Sequence, residues 1–204
     1  MSEFTYEANE RKEKLEDYEW DNTWIEMAND SESSRVLYIG DSISCGTRKI
    51  ATEKSGNVIK FDGFGTSKGI DNPFLLTSIK TFAMQQPKRD YVIFNNGLHG
   101  WHLDDKTEYK ENYDRVLGEL KEFFGNTPIA IVLTTFIKDE TRIKRVEARN
   151  AAALELADKY GFKVIDLFSV SKANSELISG DGVHLTREGY EKLAEEILKT
   201  VKND

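Results

Sequence analysis

The chain is 204 residues long, 39% hydrophobic and 11% aromatic, which suits one filled core and is too short for two full domains. A net charge of -8, from 36 acidic and 28 basic residues, disfavours nucleic-acid and anionic membrane partners, because phosphate neutralisation needs a basic face. No apolar run approaches the roughly 20 residues of a spanning helix, and Met1-Ser2-Glu3-Phe4 lacks the cationic and apolar regions of a secretory signal, so the expectation is a soluble, cytoplasmic protein. With one cysteine and three histidines, neither disulfide chemistry nor a zinc set is indicated, and no metal or cofactor is expected.

In chain order, residues 1–30 come first and mix many charges with Leu15, Tyr18, Trp20, Trp24, Ile25 and Met27. Leu15, Tyr18, Trp24 and Ile25 fall near one helical face, which predicts a helical extension packing on a domain formed by residues 31–204. Trp20 and Trp24 are also candidates for substrate contact. Short β-rich apolar runs follow at 35–39, 57–61, 91–95, 129–134 and 162–165. Between and after them lie helical patterns at 73–86, 108–124, 141–160 and 187–202. Pro73 suits a first helical turn, Gly161 a helix end, and Thr186 a helix start. This alternation predicts an α/β fold: a three-layer α/β/α sandwich on a five-stranded parallel sheet, in flavodoxin-like order 2-1-3-4-5.

Ligands of open parallel sheets bind beyond the carboxyl ends of the strands, where strand order reverses. In the expected order the loops at that point are Gly40-Asp41-Ser42-Ile43-Ser44 and Asn96-Gly97-Leu98-His99-Gly100, and Asp181-Gly182-Val183-His184 follows the fifth strand. A serine hydroxyl needs a base to take its proton, and the base needs a partner to fix its tautomer. Ser42, His184 and Asp181 are the residues that fit those roles. Each alone has an ordinary structural reading: Ser42 as a helix cap, Asp181 as a turn residue, His184 as a surface histidine.

Gly40-Asp41-Ser42, preceded by Val36-Leu37-Tyr38-Ile39, resembles the first block of the SGNH (GDSL-like) hydrolases, and Asp181-Gly182-Val183-His184-Leu185 resembles their last, the D-x-x-H block. The resemblance spans about residues 35–200. It implies a Ser42-His184-Asp181 triad and a two-step acyl transfer from an ester to water. An oxyanion hole is implied at the Ser42 backbone N–H, a second-block glycine and a third-block asparagine. Gly69 is the best match for the glycine, with Gly63 and Gly65 as rivals. The third block usually reads G-x-N-D, whereas this chain has Gly97-Leu98-His99-Gly100, so His99 stands where the asparagine is expected. His99 has two other readings, as general base or as a structural histidine of the turn.

His102 reads as a solvated loop residue, Cys45 as a small buried hydrophobe, and 138–149 as the solvated face of a helix. Gly63-Phe64-Gly65-Thr66-Ser67 lacks the ending and spacing of a P-loop. The expected partner is a small ester with a short acyl group, acetyl in first place, on a sugar. An acyltransferase with the same triad is the nearer alternative. A non-catalytic signalling module built around Asp41 is the more distant one.

Overall fold

The computed structural model describes residues 15–202. Its sheet is organised around β2 (Ser34–Gly40), whose residues are all buried after Ser34. Such a strand must be covered on both faces, and its alternation assigns them: Leu37 and Ile39 join one core, Val36 and Tyr38 the other. β1 (Asp21–Trp24), β3 (Ile59–Thr66), β4 (Tyr91–Phe94), β5 (Ile129–Val132) and β6 (Lys163–Ile165) complete a six-stranded sheet in the order β1-β3-β2-β4-β5-β6. α2 (Leu75–Ala83), α3 (Lys106–Phe124) and much of α4 (Arg142–Tyr160) cover the first face. The second lies under α1 (Ser42–Lys54), α5 (Leu167–Ala173) and α6 (Arg187–Val201).

The expected sheet needs a correction in count and order. The five parallel strands keep the sequence 2-1-3-4-5, but a sixth, β1, pairs antiparallel with β3 at the outer edge. This strand also corrects the helical reading of residues 1–30, of which residues 1–14 lie outside the described residues. Helical spacing fails here because the apolar residues do not share a buried face: Tyr18 is 86% exposed and Trp24 50%. Asn22, Thr23 and Trp24 instead satisfy the open edge of β3.

β3 runs five residues past its expected end, through Gly63 and Gly65 to Thr66. Glycines usually weaken a strand, but here α1 lies so close that a Cβ at Gly63 would overlap Arg48 and one at Gly65 would overlap Cys45. Both glycines are therefore the contact surface of β3 for α1. Cys45 fills the space over Gly65, and burial pushes its thiol up from the ordinary value. α5 adds to the expected helices. No helix among the described residues is long and apolar enough to cross a membrane.

Candidate active site

β2 ends at Gly40, and Asp41 turns the chain into α1. Asp41 is extended (φ -113°, ψ -152°) and caps the helix, its Oδ1 accepting the Ile43 N–H at 2.8 Å. Ser42 is thus the first residue of α1, where backbone N–H groups have no intrahelical acceptor and favour negative charge. Capping gives Asp41 a structural role at this turn. Burial pushes its carboxyl above the usual range, opposed by the nearby imidazoles of His99 and His184 and by the Ile43 N–H.

The last loop is shaped by Asp181. Its Oδ1 accepts the Val183 and His184 N–H groups, each at 2.9 Å, and the Ser179 hydroxyl at 2.8 Å. Gly182 takes the turn at φ +78°, a conformation that favours glycine. With one carboxylate oxygen committed to the turn, the other is free for the imidazole: Oδ2 lies 2.6 Å from His184 Nδ1. His184 Nε2 in turn lies 2.8 Å from Ser42 Oγ. The chain of donors is consistent with Nδ1–H donating to Asp181 and Nε2 accepting the serine hydroxyl proton. The Val183 N–H first, then His184 and Ser179, hold the Asp181 carboxyl well below the usual carboxylate range. The pair is open to solvent, with side chains 44% and 50% exposed.

Two further loops meet beside it. Gly69 follows β3 and Gly100 follows β4, and a Cβ on Gly69 would lie 2.9 Å from the Gly100 Cα, so the loops touch backbone to backbone. Gly63 and Gly65, the rival glycines, are inside β3 and beneath α1. Asp71 and His102 span the same two loops, with His102 Nε2 2.6 Å from Asp71 Oδ2, so His102 is a half-buried pairing residue and not the solvated one expected. The Gly100 N–H donates to Glu16 Oε1 at 2.6 Å, and that oxygen lies 3.7 Å from His99 Nδ1. Trp20 meets the His99 ring edge-on at 5.9 Å between centroids, while Trp24 faces outward and bonds Glu26. His99 Nδ1 is buried and has no hydrogen-bond partner among the described residues.

Arg149 holds this region from below. Its Nη1 donates to the carbonyls of Gly97 (3.1 Å) and His99 (2.6 Å), and its Nη2 to those of Gly100 (2.8 Å) and Leu103 (2.9 Å). Four charge-assisted bonds on one loop fix the backbone that carries His99. The reading of 138–149 as a solvated face fails at this residue, which is buried with Val146, Asn150 and Ala153 on the inward face of α4. That spacing was the available signal, and the positive charge outweighed it. Glu16 and the Asp71–His102 pair had no local signal.

No protein-family model and no curated protein matches the sequence. Solved structures do match its fold. A member of the lipolytic protein G-D-S-L family from Veillonella parvula superposes with a TM-score of 0.68 at 16% identity, covering 84% of this chain and 100% of that one. An acetyl xylan esterase gives 0.66 at 19%, covering 82% and 99%. The C-terminal catalytic domain of Streptococcus pneumoniae peptidoglycan O-acetyltransferase A, with a methylsulfonyl adduct, gives 0.65 at 17%, covering 84% and 96%. The chain therefore has the fold seen in these three proteins, one of them a member of the lipolytic protein G-D-S-L family.

Proposed function

We propose that this protein is a serine esterase of the SGNH (GDSL-like) type that hydrolyses short-acyl esters, acetyl in first place, of sugars. The observation that carries the reading is the unbroken chain Asp181–His184–Ser42, at 2.6 and 2.8 Å, with the serine at a helix start beyond the central strand. In this mechanism Ser42 Oγ attacks the ester carbonyl as His184 Nε2 takes its proton. The oxyanion is held by the N–H groups of Ser42 and Gly69 and by the His99 imidazole. Collapse expels the alcohol, which takes the proton back from His184, and leaves an acyl group on Ser42. Water, deprotonated by His184, then releases the acid and restores the hydroxyl.

Ser42→Ala is expected to lower turnover of an acetyl ester by several orders of magnitude with the fold intact, since the oxyanion hole and binding alone remain. Covalent labelling of the wild type by a fluorophosphonate, mapped to Ser42, is the companion measurement. Undiminished turnover in the variant, or no labelling, would end the reading. Acetyl, butyryl and octanoyl esters of one chromogenic alcohol test the acyl preference, which should fall along that series. The likeness to an O-acetyltransferase domain favours one second reading, transfer to a sugar hydroxyl in place of water. Product analysis with a sugar acceptor present separates the two.

A further inference from the structure

Residues 95–105 carry His99 from β4 to α3 without belonging to a strand or a helix. The peptide groups of such a loop need partners from elsewhere, and those partners decide how firmly His99 is placed. Arg149 takes the carbonyls of Gly97, His99, Gly100 and Leu103. The N–H side is held by the opposite charge. Glu16 Oε1 accepts the Gly100 N–H at 2.6 Å and the Trp101 N–H at 3.3 Å. The Glu16 side chain is only 13% exposed, and a carboxylate withdrawn from water needs such bonds, which are about twice as strong as those between neutral groups.

Glu16 reaches this loop because its own segment is tied to the neighbouring one. The Trp20 N–H donates to Ser67 Oγ at 2.8 Å, and the Ser67 N–H returns to the Trp20 carbonyl at 3.1 Å. Glu19 Oε1 accepts the Asn72 amide at 3.3 Å and the Glu16 N–H at 3.1 Å. Ser67 and Asn72 flank Gly69, so residues 16–20 bridge the loop that carries Gly69 to the loop that carries His99. The same segment meets the imidazole twice: Trp20 edge-on at 5.9 Å between centroids, and Glu16 Oε1 3.7 Å from the buried Nδ1.

We propose that Glu16 is a positioning residue of the oxyanion hole: it holds the turn after His99 by its N–H groups, as Arg149 holds it by its carbonyls, and so sets where the imidazole stands. The proposal rests on the esterase reading and deepens it by assigning the placement of one oxyanion donor to a residue outside the loops that carry the site. A donor aimed at the developing oxyanion acts in the transition state, where a displacement of about 1 Å costs about 100-fold. Loss of Glu16 therefore belongs in kcat, with KM little changed.

The test follows turnover of an acetyl ester in Glu16→Ala and Glu16→Gln, and in Glu16→Ala combined with His99→Ala. Glu16→Ala should lower kcat about 10- to 100-fold with KM within about twofold of the wild type. Glu16→Gln keeps an oxygen that accepts both N–H groups and should stay within about fivefold of the wild type, the cost of replacing charged by neutral hydrogen bonds. In the His99→Ala background Glu16→Ala should cost nothing further, because a positioning residue acts only through the group it positions. An unchanged kcat in Glu16→Ala, a Glu16→Gln variant as slow as Glu16→Ala, or the same loss with and without His99 would overturn the proposal; the last is the result a merely structural contact gives. If the wild type turns over no ester, the esterase reading fails separately, and amide hydrogen exchange decides whether Glu16 places the loop. Gly100 and Trp101 should then exchange faster in Glu16→Ala than in the wild type and Glu16→Gln, and equal protection in all three overturns that role.

Discussion

At the scale of single residues, Asp181 divides its carboxylate between a turn and an imidazole, and this division gives a sign for its pH behaviour. Its pKa is held below the ordinary value, so its stabilising contribution is present above that value and lost only as pH falls through the lower, folded one. Near neutral pH it stays ionised, so any acid loss of activity above the ordinary aspartate range belongs to another group. Asp181→Asn keeps the size of the side chain but favours the wrong tautomer of His184, and is expected to lower kcat about 10⁴-fold. Turnover within a few-fold of wild type would remove Asp181 from the triad. His99→Ala is expected to lower kcat about 10²- to 10³-fold, the usual cost of one oxyanion donor. His99→Asn should recover much of that, because a carboxamide supplies an N–H as well. If both variants match the wild type, His99 only shapes its turn. The triad is legible in the sequence because each half is a short local pattern after a strand. The contact of Glu16 with the Gly100 N–H crosses 84 residues and leaves no local trace.

At the scale of elements, buried charges do the holding. Arg35 and Asp62, both fully buried, pair at 2.8 Å where β2 lies against β3, and Asp62 also accepts the Glu26 N–H and the Gln86 amide. Removing one partner strands the other charge, so Asp62→Ala is expected to cost about 3–5 kcal/mol in urea unfolding. A cost under about 1 kcal/mol, the range of an exposed pair, would show that the pair does not hold β2 against β3. Arg149→Met should act differently, lowering kcat as well as stability, since it frees the carbonyls behind His99. Parallel strands buried on both faces announce themselves as apolar runs, which is why β2, β4 and β5 are readable, whereas β3 and the edge strand β6 show only short apolar stretches. β1 escapes because its residues are exposed and its pairing is decided by the edge of β3, not by its own periodicity. The expected strand stops at residue 61, short of Gly63 and Gly65, because their purpose, room for Arg48 and Cys45 of α1, is not visible in the strand's own sequence.

For the whole molecule, the acidic balance sets how stability responds to pH. The carboxyls of Asp30, Asp104, Asp114, Asp139, Asp181, Glu119 and Glu195 are all held below their ordinary values by hydrogen bonds or cations, whereas burial raises Asp41. The unfolded chain therefore binds more protons than the folded one in acid, and stability must fall as pH falls through that window. Asp30 is the clearest case. Its carboxylate accepts the Ser33 hydroxyl and N–H and the Glu32 N–H, and these bonds bring its pKa from 3.8 to about 2. Asp30→Asn removes that ionisation, so its deficit relative to wild type should be full at about pH 5 and shrink steadily toward about pH 2. Urea midpoints for both proteins across that range measure it. A deficit independent of pH would mean that the contribution of Asp30 is the geometry of its turn and not its charge.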